Sequence, residues 1–395
     1  MSASIEPVKC VTLCAGAGVG GMERVVQTLA RQFSLRHVSN RVVLPLDARA
    51  LETAAWLKQS GVAAVITPQL RHAFWPRDHE SSRQLTAFLR ENPSDVVNLH
   101  YCLNSIPLRD VLAVRRAGRR CVVSLHLGRA LDPILQAREI RETQRAAALC
   151  DAIIVISGFQ RQFLVAAGVA VGRIHLVPGG VSLPRRPPLR QEARRRLGLP
   201  PEAFLVATAA RLVVPKGVAD LIEGLARVPP PTASLGLVVA GDGPERAALE
   251  ALAKEKLRGR VWFLGHLDEM EDFYAAADVF ALASYGESFG LVFAEAAGYG
   301  LPSIGTDVGG VPEVVLQGRT GILVPPRDPD RIAAAVRFFK DDPLARELMG
   351  EAARERALAQ FDEGLMADRY LRLLLPESLP SGLQPLDPVN LVNII

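Results

Sequence analysis

Short apolar runs alternate with stretches of helical spacing along most of the chain. Lys9–Leu13 is the first such run, and a glycine-rich stretch follows it. In Met22–Phe33 the apolar residues Met22, Val25, Val26, Leu29, Ala30 and Phe33 then recur at helical intervals. Arg41–Leu46, Ala63–Thr67, Val96–Leu99, Arg120–Leu125 and Ala152–Ile156 read as further strands. Near residue 180 the texture changes: Pro178-Gly179-Gly180, then Pro184, Pro187 and Pro188 among arginines, interrupt both periodicities and mark a linker. Beyond it the alternation restarts. Phe204–Ala209, Leu235–Ala240, Val261–Leu264, Val279–Ala283, Pro302–Thr306 and Gly321–Val324 read as strands. Val218–Arg227, Glu245–Lys256, Phe289–Ala297, Arg331–Phe339, Pro343–Gln360 and Glu363–Leu375 read as helices. Strands alternating with helices imply parallel sheets covered on both faces. The expected architecture is α/β, two tandem doubly wound Rossmann-like domains over 1–182 and 183–375 with an interdomain cleft. The final helix is free to pack back on the first domain, and 376–395 form a proline-rich tail. Ligands of such sheets sit beyond the carboxyl ends of the strands.

The 395 residues suit two domains, and the 49% apolar content is enough for two cores. No apolar run reaches the ~20 residues of a membrane span, and the first ten residues lack the basic and apolar regions of a signal peptide. Cys10, Cys14, Cys102, Cys121 and Cys150 show no metal-binding or disulfide spacing, which fits a reducing cytoplasm. The net charge of +4 divides into +9 over residues 1–180 and −5 over 181–395. A basic first half suits a phosphate-bearing substrate or an anionic membrane surface; arginines solvated on helix faces give the same count. Leu70–Arg77 sets Phe74 and Trp75 among cations, as a loop at an anionic lipid surface would and as a packed aromatic pair would. Scattered cations without interleaved aromatics speak against nucleic acid.

The candidate chemistry lies in the loops. Gly16-Ala-Gly18-Val-Gly20-Gly21 has the form G-x-G-x-x-G between a strand and a helix, with Asp47 near the end of the next strand. That pattern serves a dinucleotide, or any phosphate brought against free N–H groups. Arg211 and Lys216, five residues apart in a strand-to-helix loop, can converge on a diphosphate. Gly241-Asp-Gly243-Pro244 is a further turn into a helix, and His266 ends another strand. In Glu287-Ser-Phe-Gly-Leu-Val-Phe-Ala-Glu295, Ser288 is the expected N-cap of a buried helix. Glu295 within that helix is a carboxylate in need of a partner. A helical path from Glu287 to Glu295 would span about 12 Å, the reach of a ligand with hydroxyl-bearing groups at both ends and phosphates between. Asp328-Pro-Asp330 has the D-x-D form of a metal-binding motif, but that reading is discounted because Asp328 is well placed as an N-cap with Pro329 at the first helical position.

Arg211…Lys216, Gly241-Asp-Gly243-Pro244, Glu287-x7-Glu295 and Gly309-Gly-Val-Pro-Glu313, in this order, resemble a retaining glycosyltransferase of the GT-B fold, family GT4. Gly20-Gly21-Met-Glu23 is similar to the family's N-terminal glycine loop, and Val123-Ser-Leu-His126 to its active-site histidine strand. This chain has Ser288 where the family commonly has glycine. The resemblance implies a UDP- or GDP-linked sugar donor held mainly by the C-terminal domain, a hydroxyl acceptor that is lipid-linked or otherwise, and no cofactor or metal. Arg211 and Lys216 would neutralise the diphosphate, Glu287 would hold hydroxyls of a hexose-type sugar, and Glu295 those of the ribose. Gly241, Ser288 and the N–H groups of Phe289, Gly290 and Leu291 would line the donor. Gly20 and Gly21 would close over the diphosphate, and His126 would contact the sugar. The implied setting is bacterial glycan, glycolipid or natural-product assembly in the cytoplasm or on the inner face of the membrane. The alternatives are a sugar-nucleotide epimerase, an NAD-dependent oxidoreductase, and a non-catalytic binding protein.

Overall fold

Two all-parallel sheets account for the alternation. The computed structural model describes residues 9–376 apart from 16–19, 47–49, 60, 63, 68–78, 103–104, 127–132 and 230–234, and the backbone alone at 9, 79–81, 133–136 and 138. The expectations at Gly16, Gly18, Asp47, Leu70–Arg77 and the tail beyond 376 lie outside the described residues.

The first sheet contains β1 (Lys9–Cys14), β2 (Ser39–Pro45), β3 (Ala64–Thr67), β4 (Val96–Tyr101), β5 (Arg120–Leu125), β6 (Ala152–Val155) and β7 (Ile174–Leu176). Their order is β3-β2-β1-β4-β5-β6-β7. The second contains β8 (Phe204–Ala209), β9 (Leu235–Ala240), β10 (Val261–Gly265), β11 (Val279–Leu282), β12 (Ser303–Thr306) and β13 (Gly321–Val324), in the order β10-β9-β8-β11-β12-β13. Each sheet grows outward from one strand and then restarts on that strand's other side. The reversals fall between β1 and β4 and between β8 and β11. Central strands such as β6, β8, β9 and β11 are buried along their whole length, which is why they read as continuous apolar runs.

The chain divides into two units, 1–180 with 363–395, and 181–362. The core of the first is built on β1, β4, β5 and β6, with Leu85, Leu89, Val111 and Val114 packed over the sheet from flanking helices. That of the second is built on β8, β9 and β11 with Leu221, Ile222, Ile332, Val336 and Phe339. The last described helix, Glu363–Leu374, belongs to the first unit. Arg31 pairs with Glu363, the Arg36 Nε donates to Asp368 at 2.7 Å, and an Arg120 guanidinium N–H donates to the Leu373 carbonyl at 3.0 Å. Part of the positive excess of residues 1–180 is therefore matched from the far end of the chain.

Three short helices of the second unit were not expected: Arg190–Arg196, Glu271–Ala276 and Val311–Val314. Arg190–Arg196 begins just past the prolines of the expected linker. Its Arg194 is 3% exposed and donates to Asp278 at 2.8 Å and to the Ala276 carbonyl at 2.9 Å. With a further bond from Arg194 to the Pro201 carbonyl at 2.5 Å, an ion pair and two carbonyls hold this helix where an apolar stripe ordinarily would. Glu271–Ala276 is too short for a helical period to show.

Candidate functional site

Lys216 and Glu287 meet at the reversal of the second sheet. Lys216 ends the 3₁₀ turn Val214–Lys216 that follows β8, and Glu287 stands in the loop after β11. The Lys216 Nζ donates to Glu287 Oε2 at 2.6 Å, with both side chains partly open to solvent. A strand-order reversal is where neighbouring loops part and leave room for a ligand.

Backbone contacts fix these loops to one another. The Leu212 N–H donates to the Asp242 carbonyl at 2.9 Å, and Glu245 N–H to the Leu212 carbonyl at 3.1 Å, joining the loops after β8 and β9. Gly241 N–H donates to the Gly265 carbonyl at 2.6 Å. Tyr285 N–H reaches the Pro215 carbonyl at 2.8 Å, joining the loops after β8 and β11. Gly310 N–H donates to the Glu287 carbonyl at 2.9 Å, adding the loop after β12. Side chains would prevent this packing. A Cβ on Gly217, at φ +63°, would lie 1.9 Å from the Ala283 carbonyl oxygen. On Gly309 and Gly310 it would lie 2.0 Å and 2.1 Å from the carbonyl oxygens of Glu287 and Ser288. The Gly309-Gly310 pair thus holds the backbone that carries Glu287.

The helix that follows differs from expectation. It runs Leu291–Gly298, not Phe289–Ala297, and its N-cap is Gly290 at φ +87°, not Ser288. The left-handed turn at Gly290 keeps residues 287–289 out of the helix, so the helical span from Glu287 to Glu295 does not apply. Ser288 and Phe289 are buried, the Phe289 ring standing 5.5 Å edge-on from Phe361. Leu291 opens the helix, and the Phe293 N–H is already taken by the Gly290 carbonyl. Glu295 is half-buried, and its partner is the Tyr274 hydroxyl, which donates to Oε2 at 2.5 Å. Tyr274 comes from the unread helix Glu271–Ala276, so no signal in the sequence pointed to it. Arg211 lies just past β8 with an exposed side chain and no ion-pair partner among the described residues. Asp328 caps its helix through a hydrogen bond from Arg331 N–H at 3.0 Å, and His266 is exposed beside Asp268.

In the first unit, Gly20 is the N-cap of the helix Gly21–Leu35, and its N–H donates to the Glu23 carboxylate at 3.0 Å. Burial pushes the Glu23 pKa up. His126 follows β5, its N–H donating to the Tyr101 carbonyl at 2.9 Å. It is buried, and its Nε2 lies 2.8 Å from Nδ1 of His100. Burial pulls the His126 pKa down to about 3 and that of His100 well below the ordinary value. Both rings are therefore neutral near pH 7. His100 escaped the sequence reading. Asn98 and His100, two polar residues on one face of an otherwise apolar strand, were the available signal.

The family model for glycosyl transferases group 1 matches residues 190–356, and that for glycosyltransferase family 4 matches residues 19–185. Neither describes a dehydrogenase or an epimerase. A glycogen synthase of Mycobacterium tuberculosis is 36% identical over 198 residues, which cover 49% of this chain and 46% of that protein. The match thus spans about half of that relative. A D-inositol 3-phosphate glycosyltransferase of Xylanimonas cellulosilytica is 34% identical over 283 residues, 66% of this chain and 67% of the relative. Among solved structures, Anabaena HepE in complex with UDP has a TM-score of 0.78 at 22% identity, over 93% of this chain and 99% of that one, which is a likeness of fold. The two family models in succession, with two parallel sheets each reversing strand order once, place the chain among the group 1 glycosyltransferases of family GT4, in the GT-B fold.

Proposed function

We propose that the protein transfers a hexose-type sugar from a nucleotide diphosphate to a hydroxyl acceptor with retention of configuration. The bond between the sugar C1 and the phosphate oxygen breaks, and negative charge gathers on the departing diphosphate. Arg211 and Lys216 stand to neutralise it, in place of a divalent metal; stabilising such charge is commonly the largest catalytic contribution. The acceptor oxygen bonds to C1 on the face the diphosphate leaves, and its proton passes to a diphosphate oxygen. Glu287 takes sugar hydroxyls and Glu295 the ribose hydroxyls. The N–H groups of Phe289, Gly290 and Leu291 face sugar and phosphate. From the first unit, His126 is assigned to the sugar and the Gly20–Gly21 turn to the diphosphate.

The observation that carries this reading is the contact of Lys216 with Glu287 at the strand-order reversal. A cation for phosphate and an acceptor for hydroxyls are held side by side by loops that backbone hydrogen bonds tie together. Anabaena HepE has been solved with UDP-glucose, which supports a nucleotide sugar as the ligand class. The test is a panel of nucleotide sugars without acceptor, scored for thermal stabilisation and slow hydrolysis, with Lys216→Ala beside the wild type. One nucleotide sugar is expected to stabilise the protein and be hydrolysed. Lys216→Ala is expected to lower turnover about 10²–10³-fold while melting close to the wild type. Stabilisation by NADH alone, or a wild-type rate in the variant, would overturn the reading.

A further inference from the structure

Four polar side chains lie in series inside the first sheet. The Ser124 hydroxyl donates to Asn98 Oδ1 at 2.9 Å. The Asn98 amide nitrogen lies 2.7 Å from His100 Nε2, and His100 Nδ1 lies 2.8 Å from His126 Nε2. All four residues are buried, Asn98, His100 and Ser124 fully so. The His100 ring stacks on Tyr370 of the helix Glu363–Leu374, with centroids 6.2 Å apart and planes within 6°.

Such a series has a direction. With its oxygen committed to Ser124, the Asn98 amide offers only N–H to His100. His100 Nε2 must then accept, so in a neutral ring the proton sits on Nδ1. That proton is donated to His126 Nε2, which in turn must be bare, so the His126 proton is on its own Nδ1. This last atom is buried and has no hydrogen-bond partner among the described residues. A buried N–H left without a partner is costly; it is spared that cost when a ligand oxygen accepts from it.

We propose that His100, keyed by Asn98 and Ser124, is a positioning residue that locks His126 in the Nδ1–H tautomer, so that His126 presents a hydrogen-bond donor to a hydroxyl oxygen of the donor sugar. This rests on the assignment of His126 to the sugar. The tautomer itself is a property of the free protein, so the two can fail separately.

The test uses the full chain labelled with ¹⁵N at histidine, with long-range ¹H–¹⁵N correlation across the imidazoles. The wild type is expected to show a protonated Nδ1 and a bare Nε2 on His126; the reverse pattern overturns the proposal without any variant being made. His100→Phe is expected to release the lock, giving mixed His126 tautomers and a fall in kcat of about tenfold to a hundredfold with little change in affinity for the free nucleotide. His100→Asn sets an amide nitrogen near the place of Nδ1 and is expected to restore both the single tautomer and most of the rate. Unchanged tautomer and rate in His100→Phe would overturn the positioning role. Should the wild-type tautomer be as expected while His126→Ala transfers at the normal rate, the lock stands and the assignment of His126 to the sugar falls.

Discussion

The two units reverse strand order at the same stage of a parallel sheet and furnish their polar groups by opposite means. In the second, charged side chains are carried on loops that glycines allow to touch backbone to backbone, and Lys216 and Glu287 remain partly in water. In the first, the polar groups that meet come from within β4 and β5 and the residue just past β5; they are neutral, and they are buried. A half-exposed ion pair adjusts to a ligand at low cost, whereas a buried chain of hydrogen bonds has one satisfied arrangement. On the proposed reading, the second unit would supply charge to a ligand and the first direction.

This contrast can be broken at its strongest point with Gly217→Ala. The new methyl group would meet the Ala283 carbonyl at a backbone angle that side chains rarely adopt. A loss of about 2–4 kcal/mol is expected, confined to residues 181–362 in hydrogen exchange. Equal loosening of both units would show that the clamp is not local to the second.

Acid should act on the other unit. A histidine whose folded pKa is depressed binds protons less readily folded than unfolded, so stability is lost as the pH falls below the ordinary value of 6.5 toward the folded one. For His126 the window runs from 6.5 down to about 3, at about 1.4 kcal/mol per pH unit. His100 shifts the same way and adds to the loss. Urea unfolding followed between pH 7 and 5 should show exchange rising first in residues of the first unit. A first unit indifferent to pH across that range would mean that the two rings are not held neutral.

The smallest effect sharpens the picture of the second unit. Tyr274→Phe removes the hydroxyl that holds Glu295 and should cost about 1 kcal/mol of donor binding, read as a roughly fivefold higher KM for the nucleotide sugar with kcat little changed. A drop in kcat alone would place Glu295 near the reacting bond instead of the ribose.

The sequence made the second unit's site more legible than the first's, for a physical reason. Glycines that permit close backbone approach and charges that sit in loops leave marks within a few residues of one another, as at Arg211–Gly217, Glu287–Glu295 and Gly309–Glu313. Most strands announced themselves because both faces are buried; β7, three residues long, did not. What escaped was contact between distant segments. Tyr274 reaches Glu295 from a helix too short to show a period. His100 is joined to His126 across a strand pairing, and Tyr370 comes from the far end of the chain. The N-cap at Gly290 was missed because serine is the commoner capping residue, while the left-handed turn that displaces it is a property of glycine two positions on.

The return of the helix Glu363–Leu374 to the first unit bears on how the molecule is made. Residues 181–362 are contiguous and can close as soon as they leave the ribosome. The first unit, although its sheet is synthesised earlier, waits for the last turns of the chain before the His100 ring gains its Tyr370 neighbour and Arg31 and Arg36 gain their carboxylates. Until translation has passed residue 374, a nascent chain can hold its Lys216–Glu287 pair complete while the packing around His100 is unfinished.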